Sequence, residues 1–371
     1  MTVGGEEHFL RALADGAAQA GAKVTYLTRV QWDGPPPDTP GITLVGVSPG
    51  GPLYDEDGSR RIGPALTYGA GLLGHLVRNR SDYDLVVVGS FPYFSVLAAR
   101  AGLAGSATKV SVRWIEAWTT DYFVAYAGWL RGRLGAVLQR LALRLTPAAT
   151  ASPFVGRRLR ELRYRGPLTI FPGLLPEVRE GAVEVEVPRT RLVFAGRHLD
   201  DKGVDLLPGI LAGVHQRHPD LELVVAGDGP RRPWLRAALA DAGLAAVVDL
   251  PGFVSDADLA ELLSSAAVVL LPSRREGYGI LAATAPSYGA PVVLGHFPEN
   301  AAADLVVEGT NGALADPPSI EGFCDAVDRV LEGGVALRRA ALRWSRQEAA
   351  GATMARSVDV LLADVAAQLG R

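Results

Sequence analysis

Three short segments of this 371-residue chain set glycines and charged side chains ahead of a predicted helix, two of them directly after a predicted strand. In AGRHLDDKG, Ala195 to Gly203, the glycine after the apolar run lets the backbone turn. Arg197 and Lys202 then bring two cations to the predicted start of the next helix, whose dipole end is also positive. That combination suits a diphosphate, although a solvated loop with two incidental bases would read the same way. Gly4 and Gly5 precede a helical stretch holding Phe9, Leu10 and Leu13, and glycines there let a ligand oxygen reach backbone N–H groups. A chain end that merely begins with glycine fits as well. In SRREGYGILAAT, Ser273 to Thr284, an apolar strand leads to a turn with Gly277 and Gly279. Glu276 and several free amides then stand at the carboxyl end of a parallel sheet, where open α/β sheets bind ligands. Glu276 could accept hydrogen bonds from sugar hydroxyls, or the segment could be a surface turn with a capping acid.

The elements that must position these residues follow from the apolar runs. Strands are predicted at 24–28, 42–45, 84–89, 109–113 and 168–171, and again at 191–196, 221–227, 247–250, 268–272 and 291–294, with helical stretches between them. The runs are continuous in polarity rather than alternating, as strands covered on both faces should be. The fold class is therefore α/β with two Rossmann-like, doubly wound parallel-sheet domains. The expected organisation is an N-terminal domain over 1–172, a Pro- and Gly-rich linker over 173–190 and a C-terminal domain over 191–340. Helical stretches are expected at 320–332 and 337–370, and the helical tail over 341–371 is expected to cross back to the first domain.

Composition narrows the function classes. Hydrophobic residues at 48% and charged ones at 21% exclude a disordered chain. A net charge of −3 and a pI of 6.1 argue against nucleic acid as a partner. Cys324 has no cysteine partner, which excludes an intramolecular disulfide and fits a reducing, cytoplasmic setting. The six histidines have no metal-ligand spacing. The uncharged run Gly277 to Pro298 is cut by glycines and prolines and does not read as a membrane span. The first residues show no basic region followed by an apolar run, so no secretory signal is expected.

Taken together, the three segments resemble those of the retaining glycosyltransferases of family 4, which have the GT-B fold. The likeness covers nearly the whole chain: the GGEE start, GRHLDDKG, AGDGP at 226–230, the stretch 251–273, EGYG at 276–279, YGAPVV at 288–293, PEN at 298–300 and EGTNGALADPPS at 308–319. The resemblance implies two domains with a cleft between them and transfer of a sugar from a nucleotide-sugar donor, with retained anomeric configuration, to a carbohydrate, lipid-linked or small-molecule acceptor. It implies that Arg197 and Lys202 hold the donor diphosphate and that Glu276 contacts the donor sugar. By the same likeness Gly277, Tyr278 and Gly279 line sugar and phosphates, Gly4 and Gly5 meet the diphosphate, and the backbone at Phe253 and Val254 lies beside the base. No cofactor or metal is expected, since cations and helix dipoles take that part.

Three departures matter. Thr284 stands where the family has a second Glu, eight residues after the first, that reaches the ribose. The chain begins at the glycine loop, where relatives have a preceding strand, so a missing first strand is expected. Relatives often carry His in the loop after the fourth strand, whereas this chain reads Trp114-Ile115-Glu116. Glu116, Trp118, Asp121 and Tyr122 are the acceptor-site candidates, because aromatics stack on sugar faces and acids bind hydroxyls; the same residues could simply pack a loop. From Tyr122 to Arg160 the chain has no acid and seven arginines, with Leu134, Leu138, Leu141 and Leu145 at helical spacing. Ordinary packing would bury those leucines and solvate the arginines; the other reading is peripheral contact with an anionic membrane at its inner face. The competing functions are a donor-impaired or non-catalytic GT-B relative and a GT-B nucleotide-sugar epimerase.

Overall fold

A computed structural model describes residues 5–52, 61–145, 147–171 and 189–369. The chain divides into two compact units, Met1–Leu174 with Met354–Arg371, and Leu175–Thr353. Gly4 and residues 173–188 of the linker lie outside the described residues.

The first unit runs α1 (Gly5–Gln19), β1 (Val24–Arg29), β2 (Ile42–Ser48), α2 (Gly63–Arg78), β3 (Leu85–Gly89), α3 (Tyr93–Gly102), β4 (Lys109–Arg113), α4 (Thr120–Ala127), α5 (Trp129–Leu145), β5 (Ala148–Thr150), α6 (Pro153–Glu161) and β6 (Leu168–Ile170). Its strands are all parallel and form two sheets, β1-β2 and β3-β4-β5-β6. Among the described residues no strand joins β1 to β3. The strand expected ahead of the glycine pair would precede α1, where residues 1–4 lie outside the described residues. The Tyr68 hydroxyl of α2 donates to the carbonyl of Leu27 in β1 at 3.0 Å. A core built on Leu76, Val96, Leu103, Val112, Trp114 and Leu159 is closed to solvent.

The second unit runs β7 (Arg191–Ala195), α7 (Leu207–Arg217), β8 (Glu222–Ala226), α8 (Arg232–Asp241), β9 (Val248–Gly252), α9 (Asp256–Ser265), β10 (Ala266–Leu271), β11 (Arg275–Glu276), α10 (Ile280–Thr284), β12 (Val292–Gly295), β13 (Glu299–Asn300), β14 (Gly312–Ala315) and α11 (Ile320–Gly351). Six parallel strands stand in the order β14-β12-β10-β7-β8-β9. Every residue of β10, AAVVLL, is buried. Val268 and Leu270 enter one core with Leu192 and Phe194 of β7, while Val269 and Leu271 enter the core on the opposite face with Val193. That is why the run reads as continuously apolar: alternate side chains face two helical layers.

The structure departs from expectation at three places. β5 (AAT) and β14 (GALA) are strands that the apolar pattern did not indicate. The stretch 337–370 is not one helix: α11 bends at Gly334, whose φ is 47°, and a break at Ala352 and Thr353 separates it from α12 (Met354–Leu369). The helix containing residue 341 belongs to the second unit, and the return to the first unit begins at Met354, where α12 packs on α1.

Candidate functional site

In the second unit the strand order reverses between β7 and β10, the first moving outward through β8 and β9 and the second through β12 and β14. A crevice forms at such a reversal because the connections leave in opposite directions, and it opens at the carboxyl ends of the two strands. Those two ends carry Lys202 and Glu276. The Lys202 ammonium donates to Glu276 Oε1 at 2.6 Å, across 74 residues of sequence, with the side chains 22% and 19% exposed. Both groups are thus largely enclosed yet open to a ligand.

Lys202 reaches this place differently from expectation. It ends a 3-10 turn, Asp200–Lys202, and α7 begins only at Leu207, so the cation is carried by a tight turn and not by the positive pole of a helix. Gly203 closes the turn at φ 68°, and a Cβ there would stand 2.1 Å from the Pro272 carbonyl oxygen. Only glycine permits both the left-handed backbone and the approach of the two strand-end loops.

Ion pairs that the sequence reading missed stitch the loops together. Arg274 makes two bonds to Asp205, at 2.5 and 2.8 Å, and Arg275 bonds Asp201 at 2.5 Å. The amide of Arg274 donates to the Asp201 carbonyl at 2.9 Å. Glu276 is held in β11 beside β13, where Asn300, buried, donates to the carbonyls of Ser273 at 3.1 Å and Gly295 at 2.9 Å. Burial pushes the Asp205 carboxyl up, but the hydrogen bonds and charge of Arg274 outweigh it and hold the group below the ordinary carboxylate range. A depressed folded pKa contributes stability that is complete above the unfolded value, about 3.9, and is lost as pH falls through the folded value. Asp205→Asn is therefore expected to lower the melting temperature at pH 7 by about 2–4 °C, the shift for roughly 1 kcal/mol in a pair this exposed. The deficit relative to wild type should shrink below about pH 4. Calorimetric scans of both proteins from neutral to acid pH check this; a deficit that does not change with pH would exclude the ion pair as its cause.

The remaining donor-side candidates surround this pair in sequence, and the structure places them as follows. Arg197 is exposed on the loop between β7 and the 3-10 turn. Phe253, 86% exposed, and the half-buried Val254 follow β9, just before Ser255 caps α9 in a capping box with Asp258. Gly277 and Tyr278 are half-buried in the loop after β11, and Gly279 is buried at φ 90°, where a Cβ would stand 2.4 Å from that of Ala302. Thr284, half-buried, ends α10, and its carbonyl accepts from the Ser287 hydroxyl at 2.7 Å. Gly5 opens α1 in the first unit.

In the first unit Trp118 gathers three of the four acceptor-side candidates. Its indole N–H donates to Glu116 Oε2 at 2.7 Å, and its ring lies 5.1 Å from that of Tyr122. Asp121 is exposed in the first turn of α4. The loop is held by a residue the sequence did not single out. Gln139 of α5, buried, accepts from the Trp118 amide at 2.9 Å and from the Tyr93 hydroxyl at 2.9 Å, and donates to the Trp118 carbonyl at 2.8 Å. Burial pushes the Tyr93 hydroxyl far above its ordinary range, so it stays a donor at any working pH.

Comparison with known proteins agrees with this architecture. Residues 189–333 match the family model described as glycosyl transferases group 1. Alpha-D-kanosaminyltransferase of Streptomyces kanamyceticus is 32% identical over 144 residues, 39% of this chain and 37% of that protein. Glycogen synthase of Mycobacterium tuberculosis is 29% identical over 163 residues, 43% of this chain and 39% of that protein. Each match spans less than half the relative's own length. Sucrose-phosphate synthase from Thermosynechococcus elongatus superposes with a TM-score of 0.82 at 19% identity, covering 99% of this chain and 94% of that one. WaaG, a glycosyltransferase involved in lipopolysaccharide biosynthesis, gives 0.73 at 20%, covering 98% and 96%. The fold is GT-B. Through residues 189–333, with their reversed strand order and the paired strand-end loops, this chain is similar to the glycosyl transferases group 1.

Proposed function

We propose that the protein transfers a glycosyl group from a nucleotide-sugar donor to an acceptor hydroxyl with retention of configuration. The observation that carries this reading is the Lys202–Glu276 pair at the reversal of strand order in the family-matched unit. In the absence of donor the two groups neutralise each other. A nucleotide sugar replaces that bond with two: Lys202, with Arg197, faces the diphosphate, and Glu276 accepts from the sugar hydroxyls. The bond from the sugar C1 to the phosphate oxygen breaks with its electron pair going to the nucleoside diphosphate. The bond from the acceptor oxygen to C1 forms, and the acceptor proton ends on phosphate. Cations preorganised where the leaving group gains charge lower the barrier most, and with two of them the proposed reaction proceeds without a metal ion.

In the same reading the amides of Gly277, Tyr278 and Gly279 line the sugar and phosphates. The backbone at Phe253 and Val254 lies beside the base, and the bare Phe253 ring gives that base a face to stack on. Anabaena HepE, a structural neighbour at TM-score 0.73 and 14% identity, covering 98% of this chain and 96% of its own, was solved in complex with UDP. The Trp118 cluster with Glu116, Asp121 and Tyr122 takes the acceptor.

Thr284 favours a second reading, a donor-impaired relative, since one hydroxyl replaces a carboxylate that would grip two ribose hydroxyls. Calorimetric titration of nucleoside diphosphates into wild type and Thr284→Glu separates the two. A binding-competent pocket gives measurable affinity for at least one nucleotide, tightened in the variant by about tenfold, one charge-assisted bond's worth. No binding to either protein would overturn the donor assignment.

A further inference from the structure

The helix α5 is built inside out. Its buried face consists of Gly132, Ala136, Gln139, Ala142 and Leu143, mostly small residues. A Cβ at Gly132 would stand 2.4 Å from the Phe123 carbonyl oxygen, so the small face is what lets α4 and α5 lie this close. The larger apolar residues Leu130, Leu134, Val137 and Leu141 recur at helical spacing on the other side, between 44% and 72% exposed. Trp129, the first residue of the helix, and Tyr126 of α4 are also exposed. Arg131, Arg133, Arg140 and Arg144 are exposed on the same helix, and Arg133 lies over the Trp129 ring at 5.0 Å. Between Tyr122 and Arg160 there is no acidic residue, in a chain whose net charge is −3. The expectation that the leucines would fill the core is thus overturned for Leu134 and Leu141, while Leu138 and Leu145 are half-buried.

We propose that the solvent-facing side of α5 is a docking surface for an anionic lipid bilayer. The chemistry selects this occupant over others. A continuous apolar stripe gains by leaving water, and cations bordering it need a dense layer of negative charge, which a leaflet of acidic headgroups supplies at once. A second copy of the chain would also cover the leucines, but two identical faces related by a twofold axis would set arginines against arginines. Among the described residues no helix is long and apolar enough to cross a membrane, so the contact is peripheral. A helix of 17 residues lying flat offers roughly 25 Å of contact. Its inner face holds Trp118 through Gln139, which sets that loop about one helix diameter, roughly 10 Å, above the lipid surface.

The test is sedimentation of the full chain with vesicles of phosphatidylcholine alone and with equal parts phosphatidylglycerol. Wild type should partition onto the anionic vesicles, weakly or not at all onto the neutral ones, and release in high salt. Arg131→Gln with Arg144→Gln should weaken partitioning by about fivefold per arginine. Leu134→Ser with Val137→Ser should weaken it tenfold or more. All four side chains are exposed, so both variants should melt with wild type, which circular dichroism checks. Lys202→Ala should bind vesicles as wild type does, which keeps this surface separate from the proposed reaction. Absence of anionic-vesicle binding, or binding that the leucine variant leaves unchanged, would overturn the proposal. So would a wild-type dimer in light scattering that the leucine variant dissolves while vesicles remain unbound.

Discussion

Lys202→Ala is expected to lower turnover about a hundredfold or more while leaving the melting temperature within a few degrees of wild type, and Arg197→Ala is expected to do the same. In the proposed reaction each cation faces the leaving diphosphate as it gains charge, and the removal of one preorganised donor from such a site costs about 10² to 10³ in kcat. The fold should survive, because Lys202 contributes one partly exposed ion pair, worth about 1 kcal/mol or less, whereas Asp201 and Asp205 tie the same turn to Arg275 and Arg274 without it. Steady-state kinetics with the cognate donor, beside a thermal melt, decides the point. Near-wild-type turnover in either variant would remove that residue from the diphosphate site.

Glu276→Gln should reduce kcat/KM by about 10- to 100-fold, the equivalent of roughly 1.5–3 kcal/mol for a charge-assisted hydrogen bond to the donor sugar. The 2.6 Å contact with Lys202 offers a simpler role for Glu276, that of holding the lysine in place, and the two roles separate in the double variant. If Glu276 only positions Lys202, the double variant is no slower than Lys202→Ala alone. If the two groups grip different parts of the donor, their losses multiply. Donor truncated at the sugar hydroxyl gives a further readout, since its penalty should vanish in Glu276→Gln but persist in Lys202→Ala.

The sheet of the second unit was legible because its strands are apolar on both faces: RLVFA, ELVVA and AAVVLL announce themselves without any partner. β5 and β14 were not, since AAT and GALA are short and built from small residues that fit a strand only once neighbours supply the ladder. Lys202 and Glu276 were visible as types in context. The pairs that bring them together, Asp205 with Arg274 and Asp201 with Arg275, join positions about 70 residues apart, and no local pattern encodes such a pairing. Gln139 was hidden for the same reason. The leucines of α5 misled by being regular: helical spacing shows that a stripe exists, but the direction it faces is fixed by Gly132, whose small size admits α4 on the opposite side.

The measurement that tests the central claim most directly is release of nucleoside diphosphate from a panel of nucleotide sugars, without acceptor, by wild type and by Lys202→Ala. The account predicts slow release from at least one donor by wild type and about a hundredfold less from the variant. Equal release by both proteins, or none from any donor by wild type, would contradict it.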